Sequence, residues 1–172
     1  MEPEIRSSPE ARRDARITRG EVEFRDVTFR YPGAGGDPVL SGISFRLRPG
    51  ETLGVLGGTG SGKSTLVHLI PRLYDVTGGQ VLVDGVDVRD YVLENLRAGI
   101  GMVLQDTVLF SGTIADNLRW GAPDASREDT EKAASEAQAA ELALADPFIC
   151  RMPEGYDSML TADGGNLSQG QR

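Results

Sequence analysis

The stretch Gly57-Gly58-Thr59-Gly60-Ser61-Gly62-Lys63-Ser64-Thr65 limits what this chain can fold into more than any other segment. Before it, Thr52-Leu53-Gly54-Val55-Leu56 is a short apolar run of the kind shown by a strand buried on both faces. After it, Leu66, Val67, Leu69, Ile70 and Leu73 recur at helical spacing. Strand, glycine loop, Lys-Ser and helix in that order form the context of a Walker A loop, or P-loop, and place the chain in the α/β class.

The residue types follow from the chemistry of such a loop. Glycines let successive backbone N–H groups turn inward as an anion nest, which side chains at those positions would obstruct. The positive end of the following helix adds to the nest. Lys63 is placed to reach the β- and γ-phosphates of a nucleotide, and the Ser64 hydroxyl to ligate Mg²⁺.

Composition narrows the partners. A formal charge of −8 without an extended basic face argues against a general nucleic-acid binder, whose phosphate contacts need clustered Lys and Arg. A single cysteine, Cys150, excludes an internal disulfide and a thiolate metal cluster, and fits a reducing compartment as a structural thiol. No apolar run approaches membrane-spanning length, and the N-terminus is charged rather than signal-like.

Residues 1–20 mix prolines, arginines and acids without apolar periodicity and read as a flexible linker. From about Glu21, Val22 and Phe24 alternate, then Val27, Phe29 and Tyr31, with a change of phase at Arg25-Asp26 that predicts a turn or bulge between strands. Ile43, Phe45 and Leu47 alternate with polar residues, as in a strand with one wet face. Segments 80–83 and 86–88 flank Asp84-Gly85, a two-residue hairpin signal. Segment 92–97 reads as helical, and Ile100-Gly101-Met102-Val103-Leu104 as a second apolar strand that ends at Gln105. Helical signals dominate beyond. Thr113 with Asp116 and Ser126 with Asp129 fit capping boxes, and Asp146-Pro147 fits a helix start.

Together these motifs resemble the nucleotide-binding domain of ATP-binding cassette (ABC) transporters, across about residues 20–172. Tyr31 resembles the adenine-stacking aromatic, Gly57 to Thr65 the Walker A loop, Gln105 the Q-loop glutamine and Leu167 to Arg172 the signature. The stretch Phe110-Ser111-Gly112-Thr113-Ile114, with Pro153-Glu154-Gly155-Tyr156-Asp157, is similar to exporter-type members. The resemblance implies a P-loop NTPase core with an antiparallel β subdomain, and a helical subdomain over about 106–166 that carries the signature.

It further implies ATP and Mg²⁺ as cofactors. Tyr31, Gly57, Thr59, Gly60, Ser61, Gly62, Lys63, Ser64, Thr65, Ser168 and Gly170 would bind nucleotide, Ser64 and Gln105 would bind metal, and Lys63 and Gln105 would have catalytic roles. Ser168 and Gly170 match the Leu-Ser-Gly-Gly-Gln signature, whereas Gln169 replaces its first glycine. In the family, two such domains pair head to tail, each P-loop facing the partner's signature, and a transmembrane domain holds them at the cytoplasmic face of the membrane.

The family's Walker B aspartate, catalytic glutamate and switch histidine would lie downstream of Arg172, and His68, one turn into the P-loop helix, is no substitute for the last of these. The expectation is therefore an incomplete core sheet, with ATP binding but no efficient turnover by these residues alone, and poor solubility from an exposed apolar edge. Trp120 and Arg151 read as helix-end packing and a solvated charge. A non-hydrolysing nucleotide-dependent interaction module and a soluble cassette ATPase remain alternatives to the ATPase module of an exporter.

Overall fold

The computed structural model describes residues 5–33, 35–104, 109–120, 126, 128, 148–161 and 165–167. The chain divides into two compact units, Met1–Met102 and Val103–Arg172.

The first unit is built on a four-stranded antiparallel sheet of order β2-β1-β3-β4, with β1 at Val22–Phe29, β2 at Leu40–Leu47, β3 at Gly78–Val83 and β4 at Val86–Asp87. Helix α1, Lys63–Leu69, follows the glycine loop, and α2, Leu93–Ala98, follows a 3-10 turn at Val88–Asp90. Strand β1 lies centrally because both its edges are paired: Phe24 faces Phe45 of β2 and Val81 of β3. Its inward residues Phe24, Val27 and Phe29 are at most 1% exposed and pack with Leu69 of α1, Leu96 of α2 and Tyr91. Burying each such side chain contributes roughly 1.5–3 kcal/mol, so the sheet and both helices share one core.

The phase change seen at Arg25-Asp26 is a bulge within a single strand. Register slips on both sides of β1 around this point, and Asp26 takes φ 48. The bulge re-aims the strand so that Phe24, Val27 and Phe29 all point into the core. The Asp84-Gly85 turn has φ 50 and 81, the paired positive values of a type I′ hairpin.

Residues 5–20 carry no helix and lie along the first unit. Arg12 bridges to Tyr91, the Ser7 hydroxyl accepts the Leu93 N–H at 2.9 Å, and Ile17 packs on the core beside Gly99. Asp84 fastens the end of this segment by accepting the N–H groups of Thr18, Arg19 and Glu21.

The apolar runs at 52–56 and 100–104 correct the sequence reading: neither is a strand, and Leu56 and Val103 are 96% and 98% exposed. A strand forms only where another strand lies alongside to complete its ladder, whatever the hydropathy of the run. Among the described residues no strand lies alongside either run. The segment read as a strand over 86–88 likewise ends at Asp87, whose side chain accepts the Arg89 N–H at 2.9 Å and starts the 3-10 turn.

In the second unit, β5 at Gly112–Thr113 pairs with β6 at Met159–Leu160, and α3 spans Ile114–Arg119. The capping box is formed: the Asp116 N–H donates to Thr113 Oγ1 at 3.0 Å, and the Thr113 N–H to Asp116 Oδ2 at 3.2 Å. Ile114, Ile149, Tyr156, Leu160 and Leu167 form its core. Trp120 ends α3 and stacks on Phe110, with ring centroids 4.5 Å apart, yet stays 64% exposed. The proposed helix caps at Asp129 and at Asp146-Pro147 lie outside the described residues.

Candidate functional site

The glycine loop closes tightly at its two ends. A Cβ on Gly57 would lie 2.6 Å from Ser61 Oγ, and one on Gly62 would lie 2.9 Å from Leu40 Cδ2 and 3.1 Å from the Val39 carbonyl oxygen. Gly62 also takes φ 86 as the residue that opens α1. Sequence thus acts here through absent side chains: glycine alone lets the loop turn under the start of β2 and into the helix. Between these ends Thr59 and Gly60 form an exposed turn, and Ser64 lies exposed in the first turn of α1.

Lys63 folds back across the loop. Its Nζ donates to the Gly57 and Gly58 carbonyl oxygens at 2.8 and 2.7 Å, so the ammonium lies over the backbone that would cradle an anion. These are charge-assisted bonds to neutral acceptors, which an anionic oxygen outcompetes.

Tyr31 stands beside the loop, just beyond β1. Its hydroxyl lies 2.9 Å from Thr65 Oγ1, and its ring meets Phe29 and Tyr74 edge-on, at 4.9 Å and 83° and at 5.1 Å and 89°. Tyr31, Val39 and residues 60–65 line a cleft of about 290 Å³. A larger cavity of about 680 Å³ shares Tyr31 as a wall but takes no residue from the glycine loop. Of these two, the smaller cleft combines the glycine turn, Lys63 and an aromatic residue, the elements that anion binding calls for.

The structure brings Tyr31, Gly60, Ser61, Gly62, Lys63, Ser64 and Thr65 to one cleft, with Gly57 and Thr59 in the same loop. Gln105, Ser168 and Gly170 lie outside the described residues. Of the signature, Leu167 is described and is buried in the core of the second unit. Sequence reasoning missed Val39, which lines the cleft, and Tyr74, which braces Tyr31. Val39 carries no chemical signal of its own; the crowding between Gly62 and the Val39 carbonyl places it there. Tyr74 sits between Arg72 and Asp75, whose side chains bond at 2.6 Å.

The sequence profile of the family described as ABC transporter matches residues 40–172. This chain belongs to the ABC transporter family. A putative multidrug export ATP-binding/permease protein of Bacillus subtilis is 47% identical to it over 154 residues, 90% of this chain and 25% of that protein. An ATP-dependent lipid A-core flippase of Aromatoleum aromaticum is 46% identical over 153 residues, 89% of this chain and 24% of that protein. The chain thus spans about a quarter of the length of these relatives.

Among solved structures, a bacterial Atm1-family ABC exporter with ATP bound aligns with a TM-score of 0.82 at 36% identity, over 98% of this chain and 28% of that one. The mixed α/β architecture with an antiparallel sheet is the fold of an ABC transporter ATPase. Membership in the ABC transporter family implies nucleotide binding. Among the described residues, no helix is long and apolar enough to cross a membrane.

Proposed function

We propose that this chain is the ATP-binding module of an ABC exporter, taking Mg²⁺-ATP into the cleft between Tyr31 and the glycine loop. The observation that carries the reading is Lys63 lying across a loop that closes tightly at Gly57 and at Gly62. A glycine loop of this kind suits a polyphosphate, because glycine lets backbone N–H groups turn toward an anion, and the Lys63 ammonium lies against the same backbone.

Each residue has a distinct part. Lys63 exchanges the Gly57 and Gly58 carbonyls for phosphate oxygens, and Tyr31 receives the adenine ring, a stacking contact worth about 1–3 kcal/mol. The Ser64 hydroxyl and the Gln105 amide would hold Mg²⁺, and Gln105 would orient the attacking water. Bound Mg²⁺ supplies positive charge against the phosphate oxygens. Ser168 and Gly170 would complete the site of a second nucleotide-binding domain in a head-to-tail dimer, so that nucleotide joins the two domains. A transmembrane domain would turn closure and reopening at the cytoplasmic face into transport.

Equilibrium titration of the full chain with ATP and Mg²⁺ tests the reading. Lys63→Ala is expected to abolish binding, and unchanged affinity would refute it.

A further inference from the structure

The motif by itself places Thr65 among the phosphate contacts, but the structure gives its hydroxyl another partner. Thr65 is 5% exposed in the first turn of α1, two residues after Lys63, and its Oγ1 lies 2.9 Å from the hydroxyl of Tyr31, 34 residues away in sequence. The near-perpendicular contacts with Phe29 and Tyr74 hold the body of the Tyr31 ring. Among the described residues, the hydrogen-bond partner of its hydroxyl is Thr65.

We infer that Thr65 is a positioning residue for nucleobase recognition: its hydroxyl ties Tyr31 to α1, so that the aromatic wall and the phosphate loop form one preset body. The inference rests on the nucleotide reading above. A ring already held in place loses little freedom when a base stacks on it, so affinity gains from the ordering having been completed in the free protein. A hydroxyl pair suits this task. Either oxygen can donate, and the bond is part-buried, with Thr65 5% exposed, so an unmade partner there is costly.

The test compares a ribose-labelled fluorescent ATP analogue with inorganic tripolyphosphate, which has no base, as ligands of the full chain. Tyr31→Phe keeps the ring and removes the tie; Thr65→Val keeps the shape and removes it from the other side. Each is expected to weaken the nucleotide about threefold to tenfold, the range for loss of one net hydrogen bond, and to leave tripolyphosphate within about twofold. The double variant should match the single ones, because both remove the same contact, and Thr65→Ser should restore most of the affinity.

Additive losses, failure of Thr65→Ser to restore affinity, or an equal loss of tripolyphosphate in Thr65→Val would overturn the positioning role and return Thr65 to direct phosphate contact or packing. A wild-type chain that binds neither ligand overturns the nucleotide reading, and this inference with it.

Discussion

Asp84 Oδ2 accepts the backbone N–H of Thr18 at 2.6 Å, joining residues 66 apart in sequence. The same oxygen accepts the Arg19 N–H at 2.8 Å, and Oδ1 accepts that of Glu21 at 2.9 Å. One side chain in the β3–β4 turn thus binds the segment that leads into β1. Asp84→Ala is expected to cost about 1–3 kcal/mol, since three N–H groups lose their acceptor and alanine tolerates the left-handed backbone poorly. Asp84→Asn keeps one acceptor oxygen and suits that backbone, so it should cost less. Urea unfolding measures both, and an alanine variant as stable as wild type would show that the clasp carries no weight.

The same contact makes stability depend on acid. Burial raises the Asp84 pKa, but the N–H groups of Arg19, Thr18 and Glu21 outweigh it and hold the carboxyl below its ordinary 3.8. With the folded value depressed, the contribution is fully present above the unfolded pKa, and it disappears as pH falls through 3.8 toward the folded value. The urea midpoint should therefore fall below about pH 4, and Asp84→Asn should flatten that fall. Identical acid slopes in the two proteins would contradict the assignment.

Gly79 and Gly85 separate steric room from backbone preference. Both have positive φ, 74 and 81. A Cβ at Gly79 would collide with the Arg25 and Asp26 carbonyls at the β1 bulge, whereas one at Gly85 meets nothing within 4 Å. Gly85→Ala should cost only the left-handed strain of about 1–2 kcal/mol. Gly79→Ala must also displace β3 from β1 and should exceed it by about 1–3 kcal/mol. Equal losses in thermal or urea unfolding would mean that the bulge yields freely.

Lys63→Ala should separate binding from stability. The lysine bonds two exposed loop carbonyls, which water can serve in its absence, so the unfolding free energy should change by less than about 0.5 kcal/mol while nucleotide binding is lost. A variant that unfolds would instead make Lys63 a structural residue of the glycine loop.

Local signals were legible in the sequence because they need no distant partner. The Asp84-Gly85 turn, the Arg25-Asp26 bulge and the Thr113–Asp116 capping box are each set by a few neighbouring residues and their allowed φ values, and each stands in the structure. The glycine loop was legible for the same reason, through positions where any Cβ would collide. The fate of the apolar runs was not. Leu53, Val55 and Leu56 state that a strand prefers burial, but a ladder forms only where another strand lies alongside, and these residues stay exposed. Tertiary structure alone also set Thr65 against Tyr31, Val39 beneath Gly62 and Thr18 on Asp84. Such pairs carry no mark in the sequence, because their partners meet only once β1, β2 and α1 have packed around Phe24, Phe29 and Leu69. The sequence determined that a tight glycine loop would lead into α1; packing decided which side chains surround it.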